Sequence, residues 1–292
     1  MGRAFSLREA FSCSISDTTK GWSRLISATR EVPDLTVLIP AYDEARRISD
    51  SLRTVGQYLA ERSYSSEILI VDDGSRDDTS STAREVAEEL SVPVRCVRYE
   101  INRGKGYALK VGFQAARGRR ILFSDSDLST PIEEAEKLLE RLESGFEIAI
   151  GTRKDEEAMI GVHQPRFREL LGKGFTLLVR LLLVDVSDVT CGFKAFEAET
   201  GKKLFALSRL RDWSFDAEIL YLARKQGREL AEVSVYWEDN PGTRVRIGRD
   251  SLMALVGLVR IRLYDLFRRY ESELPVGDYE EIWSLKGGEP NR

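Results

Sequence analysis

The sequence predicts an α/β fold in which a Rossmann-like, mostly parallel sheet is flanked by helices. Short apolar runs alternate with amphipathic segments of helical period, and the loop after each run carries charge or glycine. Strand–loop–helix units repeated in this way imply right-handed crossovers between parallel strands. With 292 residues, of which 42% are hydrophobic, the chain can bury a full-sized core.

The predicted strands are short apolar runs that end at polar or glycine-containing loops. The first run is followed by a helix that places Ile48, Leu52, Val55 and Leu59 on one face. Parallel strands joined by helices bring the loops after the strands to the carboxyl edge of the sheet, where such sheets bind ligands. In chain order, the predicted strands are Leu35–Ile39, Glu67–Val71, Val94–Tyr99, Ile121–Phe123, Glu147–Ile150 and Glu229–Trp237.

The fourth run ends at Ser124 to Asp127, a D-x-D sequence that puts two carboxylates at this edge. Hard oxygen donors with no His or Cys nearby suit Mg²⁺ or Mn²⁺ carried on phosphates. The alternative is that both aspartates only cap a turn. Directly afterwards, Thr130, Pro131 and Glu133 predict a capping box that opens a helix over 132–143.

Composition excludes several classes of function and site. A net charge of −4 argues against a general nucleic-acid binder. The three cysteines are odd in number and widely spaced, which predicts free thiols in a reducing compartment. The only histidine, His163, excludes His-cluster metal sites and a Ser-His-Asp triad.

Apolar patterning bears on membranes and on domain organisation. No run reaches the roughly 18 apolar residues that a membrane span needs, so we expect a cytoplasmic protein, at most peripheral on the cytoplasmic face of a membrane. Two basic amphipathic helices, 163–183 and 251–269, either pack on the core or contact a membrane interface. We predict an amino-terminal extension (1–33), a main domain (34–245), and a carboxyl-terminal amphipathic helix and tail (246–292).

Several motifs stand in a fixed order along the chain. They are VLIPAYDEARRI, EILIVDDGSRDDT, NRGKGYALKVGF, FSDSDLSTP, IGTR, DVTCGFKAF, WSFDAEILYLA and GTRVRIGRDSL. Together they resemble inverting glycosyltransferases of family 2 with the GT-A fold. Within that family, the chain is most similar to dolichyl-phosphate glucosyltransferases and polyprenyl-phosphate mannosyltransferases. The resemblance covers about Leu35 to Phe267.

The resemblance implies a nucleotide-sugar site at the carboxyl edge. Asp125, Ser126 and Asp127 would be the family's D-x-D, whose aspartates hold the metal ion and the diphosphate, and Arg244 would help with the phosphates. The other residues implied to border the donor nucleotide, its base and its ribose are Pro40, Ala41, Tyr42, Glu44, Asp72, Asp73, Lys105 and Gly106.

The acceptor side is implied in the same way. Arg153 and Arg168 would bind an acceptor phosphate, and Asp127 would act with them in catalysis. A dolichyl-type phosphate is largely anionic at neutral pH, because its second pKa is about 6. Such a nucleophile needs cations more than it needs a base. Asp216 would be the general base if one is required; otherwise, with Trp213, it shapes the sugar pocket or caps its helix.

The expected function is transfer of a hexose, favouring glucose from UDP-glucose, onto a polyprenyl or dolichyl phosphate. The LSTP after the D-x-D and the CGFKAF segment resemble the glucosyl branch of the family. One alternative keeps this acceptor with GDP-mannose as the donor. Another is a hydroxyl acceptor on a saccharide, which would require a carboxylate base. A third is a nucleotide-binding protein that has lost turnover.

Overall fold

The computed structural model describes residues 32–153, 160–162, 174, 177–238 and 247–286. Its elements belong to one compact unit, Pro33–Arg292. The predicted amino-terminal extension lies almost entirely outside the described residues, and the predicted domain boundaries stay predictions.

Strands and helices alternate as the sequence predicts, and all six predicted strand segments are present. The strands are β1 (Leu35–Ala41), β2 (Ser66–Asp72), β3 (Val94–Arg98), β4 (Arg120–Ser124), β5 (Ile148–Thr152), β6 (Ile160–Val162), β7 (Phe193–Glu197), β8 (Leu230–Ser234), β9 (Trp237–Glu238) and β10 (Glu280–Leu285). The helices are α1 (Ile48–Ala60), α2 (Thr79–Ala87), α3 (Lys105–Ala115), α4 (Ala135–Glu143), α5 (Ala198–Leu207), α6 (Phe215–Lys225) and α7 (Ile247–Leu266).

The main sheet has eight strands in the order β10-β3-β2-β1-β4-β7-β5-β8. The pairs β1–β2, β1–β4, β2–β3 and β5–β8 are parallel, which confirms the mostly parallel sheet. β7, which periodicity did not identify as a strand, is inserted antiparallel between β4 and β5, so that Lys194 lies opposite both Phe123 and Ile150. Because β7 is antiparallel, its first residue meets the carboxyl ends of its two neighbours.

Two apolar layers cover the faces of the sheet. Alternate residues of β1 belong to different layers: Val37 and Ile39 lie in the layer that contains α1 residues, and Leu38 lies in the layer that contains α3 residues. In the second layer, Phe113 stacks on Phe205 with ring centroids 4.0 Å apart. The predicted inward face of α1 is confirmed, since its four apolar residues are at most 2% exposed.

β10 closes one edge of the sheet by pairing antiparallel with β3. The pairing is joined by a buried ion network. The guanidinium of Arg95 contacts Glu67 at 3.1 Å on one side and Glu281 at 2.6 Å on the other. The Arg95 and Glu67 side chains are 5% and 3% exposed. Burial of a charge is tolerated only when it is paired, so the carboxyl-terminal strand and the sheet interior depend on each other here.

The predicted capping box is wrong. The segment opens with a 3₁₀ turn, Ile132–Glu134, whose N-cap is Pro131, and α4 begins only at Ala135. Neither start has a side-chain capping hydrogen bond. Glu134 instead accepts hydrogen bonds from Lys137 Nζ and from the backbone N–H of Tyr236. Glu134, which was not part of the predicted box, thus connects the turn to the segment between β8 and β9.

α7 carries apolar residues on two sides. Leu258 and Ile261 are buried against the second apolar layer. The residues that the sequence offered as the apolar face are exposed by 39–73%. We call this set the apolar stripe; it comprises Leu255, Val256, Val259, Leu263 and Leu266. The side chain of Leu252, which the same pattern includes, lies outside the described residues. The core-packing interpretation is thus wrong for the stripe.

The other predicted amphipathic helix is described only in part. Residues 177–182 are helical. Val179 is fully buried, whereas Leu177 and Leu181 are 58% and 71% exposed. In the described portion of the chain, no helix combines the length and the apolar character needed to cross a membrane.

Candidate active site

The site is assembled where the strands of the main sheet converge at one edge. The carboxyl ends of β1, β2, β4 and β5 meet there because these strands run in the same direction. The amino end of β7 joins them, since Phe193 pairs with Ser124 at the end of β4. The loops after the four parallel strands and the loop before β7 therefore supply the side chains of the site.

The D-x-D lies directly after β4, as predicted. Lys105, the first residue of α3, forms an ion pair with Asp125 Oδ1. Asp127 Oδ1 accepts a hydrogen bond from the backbone N–H of Ser129 at 3.0 Å. Between them Leu128 has a φ of +47°, a conformation that costs a non-glycine residue roughly 1–3 kcal/mol. The strained turn thus sets the direction of both carboxylates.

Gly192, just before β7, makes room for the first aspartate. A Cβ added at this position would lie 2.1 Å from Asp125 Oδ2. Any other residue would therefore push the Asp125 carboxylate out of its place. Gly192 is part of the motif DVTCGFKAF, but the sequence alone did not predict its role. Its contact with Asp125 depends on the antiparallel direction of β7, which local sequence pattern does not reveal.

A buried chain of charges lies beneath the D-x-D. Lys194 on β7 is 1% exposed and donates hydrogen bonds to the Cys191 carbonyl oxygen at 2.6 Å and to Asp216 Oδ1. Burial raises the pKa of Asp216 above its ordinary value, although Lys194 and Lys105 oppose that rise. Burial alone would lower the pKa of Lys105, but the Asp125 and Asp216 carboxylates raise it. The ammonium group of Lys105 is therefore held in its charged form.

Arg153 follows β5 and is held by a partner that the sequence analysis missed. Its Nε and Nη2 contact the two carboxylate oxygens of Asp188 at 2.7 and 2.9 Å. Nη2 also donates to Thr190 Oγ1 at 3.0 Å. Burial works to lower the pKa of Arg153, but Asp188 raises it well above its ordinary value. A bidentate pair fixes the plane of the guanidinium, so Arg153 enters the site with a set orientation.

The β1 and β2 loops are bound to each other. Asp43 has a φ of +48°, a region in which Asp and Asn are enriched. It accepts from the backbone N–H of Arg76 at 2.7 Å, and its own N–H donates to Ser75 Oγ. Glu44 forms an ion pair with Arg47 at 2.9 Å. These contacts fix the loop in which Tyr42 is half-buried.

The two aspartates after β2 have different surroundings. Asp72 is fully buried and pairs with Arg98 at 3.0 Å. Asp73 accepts hydrogen bonds from Asn102 Nδ2 and from the backbone N–H groups of Arg103 and Gly104. Burial raises the pKa of Asp73 against these donors. Asp73 thereby shapes the loop that presents Lys105 to the D-x-D, and direct contact of either aspartate with a nucleotide stays a prediction.

Of the remaining predicted residues, some are buried in β1 and α3, and the others lie outside the described residues. Pro40 and Ala41 are buried in β1, and Gly106 lies in the first turn of α3, where a Cβ would meet Phe215 Cβ at 2.7 Å. Arg168 and Arg244 lie outside the described residues, so their predicted contacts with phosphates stay predictions.

The carboxylates of the D-x-D are the candidate ligands for a divalent metal ion. Within the described ranges, no cluster of three or more His, Cys, Asp or Glu side chains forms a metal site. The D-x-D supplies two carboxylates at the mouth of the site. Mg²⁺ is usually held by one or two carboxylates together with substrate phosphates and water. Asp125 and Asp127 therefore fit an ion that arrives on a diphosphate, and do not fit a closed protein cage.

Known sequences place this chain among glycosyltransferases. The model of Glycosyl transferase family 2 matches residues 36–205. A dolichyl-phosphate beta-glucosyltransferase of Drosophila melanogaster is 35% identical over 78% of this chain and 77% of its own length. The enzyme of that name from Dictyostelium discoideum is 33% identical over 78% of this chain and 73% of its own length.

A solved structure has the same fold. Glucosyl-3-phosphoglycerate synthase from Mycobacterium tuberculosis, in complex with Mn²⁺, uridine-diphosphate and glucosyl-3-phosphoglycerate, superposes with a TM-score of 0.60. The match covers 78% of this chain and 80% of the other at 19% sequence identity. At that identity the likeness shows the fold alone.

Proposed function

Because the chain belongs to glycosyl transferase family 2, we propose that it is an inverting enzyme that moves glucose from UDP-glucose onto a dolichyl or polyprenyl phosphate. The observation that carries the proposal is the meeting of the D-x-D with three cations at one sheet edge. Lys105 pairs with Asp125, Lys194 lies beneath it, and Arg153 follows β5. Such a site suits two phosphate-bearing reactants, whose like charges must be neutralised before they can approach.

The donor diphosphate is proposed to lie on the D-x-D. Asp125 and Asp127 would hold a Mg²⁺ or Mn²⁺ ion carried on its phosphates. When bound, that ion supplies charge neutralisation for the departing nucleoside diphosphate. Lys105 is positioned to pass from Asp125 to the phosphates, since its ammonium is charged and 16% of its side chain is exposed. The strained turn at Leu128 and the space at Gly192 keep the carboxylates in place for this exchange.

The acceptor is proposed to be a phosphate and not a hydroxyl group. A hydroxyl acceptor needs a carboxylate base, and Asp216 was the candidate. Its carboxylate is 5% exposed and engaged by Lys194, which makes it a poor proton acceptor for a group entering from solvent. A lipid phosphate is already an anionic nucleophile at neutral pH. Arg153, oriented by Asp188, and Arg168 would then bind its oxygens while one of them attacks the anomeric carbon.

Peripheral association with a membrane is part of the proposal, because the acceptor is a lipid. The apolar stripe on α7 and the exposed leucines of residues 177–182 are the surfaces for it. A groove of about 600 Å³ lies between the exposed leucines and Arg262 of α7, and its lining also includes Arg180, Asp185 and Arg224. Apolar contact combined with basic side chains is the usual basis of interfacial binding. The cytoplasmic face of a membrane is the proposed location.

The decisive experiment pairs each of two nucleotide sugars with each of two acceptors. Radiolabelled UDP-glucose and GDP-mannose are each incubated with a short-chain polyprenyl phosphate and with a matched polyprenol, and the products are separated from the donors. We expect label on the phosphate acceptor from UDP-glucose alone. Transfer from GDP-mannose would reassign the donor. Transfer to a hydroxyl group would revive the role of Asp216 as a base, and no transfer to any acceptor would contradict the proposal.

A further inference from the structure

A cavity of about 360 Å³ lies beside the loop that precedes Lys105 and is lined by arginines. We call it the arginine cavity. Its lining consists of Arg103, Arg209, Arg211, Arg260, Asp212, Asn102 and Gly104. None of the D-x-D, Lys105, Lys194 or Arg153 belongs to this lining. Of the four arginines, only Arg260 belongs to a segment given a role from sequence, the basic amphipathic helix 251–269.

The charges of this lining do not balance. Arg260 Nη1 contacts Asp212 Oδ2 at 3.4 Å, and this is the single carboxylate of the lining. Arg211 and Arg103 both lie over the ring of Tyr107, with their guanidinium carbons 5.2 and 4.9 Å from its centroid. The lining thus holds four guanidinium groups and one carboxylate, and concentrated like charge of this kind favours an anionic ligand.

Arg209 adds a donor that the protein itself does not satisfy. Its Nη2 donates to the carbonyl oxygens of Arg269 and Ser272 at 2.5 Å each. Its Nε is buried and has no hydrogen-bond partner among the residues that the structure describes. Buried polar atoms are nearly always paired, and an arginine fork is suited to a phosphate oxygen. The unpaired Nε, with the charge imbalance, indicates an anion with several oxygens.

The location of Arg260 indicates what carries that anion. Arg260 lies on α7, and Val256 and Leu263 stand four residues before it and three residues after it. Residues at these spacings share a helix face. Both neighbours belong to the apolar stripe, with 43% of each side chain exposed. A ligand that contacts Arg260 and its helix neighbours together must therefore combine an anionic group with an apolar body.

We propose that the arginine cavity binds the phosphate of an anionic lipid headgroup of the bilayer, in addition to the acceptor phosphate at the donor edge. The apolar stripe then enters the acyl region beside it, while Arg262, on the other flank of the stripe, reaches headgroups near the groove of residues 177–183. This inference rests on the membrane association in the proposed function. It adds a headgroup site that fixes how the enzyme is oriented on the surface.

The test is binding of the full chain to vesicles of phosphatidylcholine with and without phosphatidylglycerol, measured by cosedimentation. The variant is Arg211→Gln with Arg260→Gln. Each arginine near an anionic surface contributes a factor of about five, so we expect binding to anionic vesicles to fall about 30-fold. The matched control is Arg53→Gln with Arg119→Gln, which removes two exposed charges elsewhere on the protein, each paired with one carboxylate. This control is expected to bind like wild type.

A second variant guards against misfolding. Arg211→Lys with Arg260→Lys keeps the charges and should recover most of the binding, with less preference for phosphatidylglycerol than wild type. Equal binding by wild type and the glutamine pair, with both folded by circular dichroism, would overturn the headgroup site. If the control pair lost binding to the same extent, the loss would be explained by the change in net charge alone. That result would also overturn the headgroup site.

Two further measurements separate the sources of phosphate and the two proposals. Glycerol 3-phosphate is titrated against wild type by calorimetry. Heat of binding that disappears in the glutamine pair, together with unchanged vesicle binding, would assign the cavity to a soluble phosphate and contradict the lipid assignment. Transfer to a short-chain, water-soluble polyprenyl phosphate should be the same in wild type and the glutamine pair. If wild type shows no transfer, the proposed function fails while the vesicle experiment still decides the headgroup site.

Discussion

The donor edge and the surface of α7 differ in how their side chains are paired and buried. At the donor edge, each described charge has an internal partner: Lys105 pairs with Asp125, Lys194 with Asp216, and Arg153 with Asp188. On α7, by contrast, the residues of the apolar stripe are 39–73% exposed. The first region is organised before a ligand arrives, whereas the second is the surface proposed to contact a membrane. The proposed chemistry and the proposed membrane contact thus lie on separate surfaces.

The largest effect should come from the donor edge. We expect Asp127→Ala to lower kcat by at least about a thousandfold, because general electrostatic support of a leaving group is commonly worth that much. Asp127 lies in a half-buried turn after β4 and accepts a hydrogen bond from a backbone N–H of that turn, so the melting temperature should stay near that of wild type. Asp50→Ala, at an exposed position of α1, is the control. Normal turnover by Asp127→Ala, or activity unaffected by EDTA, would contradict the metal-binding role.

The buried pair beneath that edge should dominate stability. Lys194→Met leaves Asp216 as a buried, unpaired carboxylate, which typically costs about 3–5 kcal/mol. Urea denaturation followed by circular dichroism measures the free energy of unfolding. The double variant Lys194→Met with Asp216→Leu removes both charges and should recover most of that loss. If the single variant is as stable as wild type, the ion pair does not hold the site together.

The acceptor side offers a smaller and more selective effect. With a polyprenyl phosphate as acceptor, Arg168→Ala should raise the KM for that acceptor and lower kcat, since it removes a counter-charge from an anionic nucleophile. Asp216→Asn should keep most of its kcat, because a general base is typically worth about 10²–10⁴-fold only to a nucleophile that must lose a proton. A folded Asp216→Asn enzyme slowed a thousandfold, beside a nearly normal Arg168→Ala, would indicate a hydroxyl acceptor.

The last prediction compares substitutions on the buried and the exposed sides of α7. Leu258→Ala removes a residue that is 1% exposed and should cost about 2–5 kcal/mol of unfolding free energy. Val259→Ser, at 56% exposure, should change that free energy by less than about 0.5 kcal/mol. The same Val259→Ser should weaken vesicle binding severalfold, and Leu258→Ala should not. A large loss of stability in Val259→Ser would mean that the stripe packs within the protein after all.

Sequence reasoning reached the parts of this molecule that local pattern determines. The apolar runs of β1, β2 and β4 and the inward face of α1 follow from periodicity alone, and the D-x-D was placed at the correct sheet edge. It did not reach β7, because a strand of five residues after an irregular loop has no distinctive pattern, and its direction depends on neighbours far away in the chain. The pairing of Arg153 with Asp188 depends on that same insertion.

The faces of α7 show a second kind of limit. Its apolar residues occupy two arcs of the helix, and periodicity cannot say which arc meets the core. The structure buries Leu258 and Ile261 and leaves the stripe outside. The capping box failed for a separate reason. The turn begins one residue later than predicted, with Pro131 in place of Thr130 at the N-cap, and proline has neither the side-chain oxygen nor the backbone N–H that a capping box uses.

The pairing of β10 with β3 has a consequence for the life of the protein in a crowded cell. A strand at the edge of a sheet offers unpaired backbone groups to any other extended chain, and such edges are common starting points of aggregation. Here the edge strand β3 is covered by residues 280–285, which are synthesised long after β3 itself. Until then, β3 and the Arg95 guanidinium lack the cover that Glu281 provides. Chaperones would accordingly be needed most by nascent or shortened chains that end before Glu280, which should form insoluble species before they lose the donor edge.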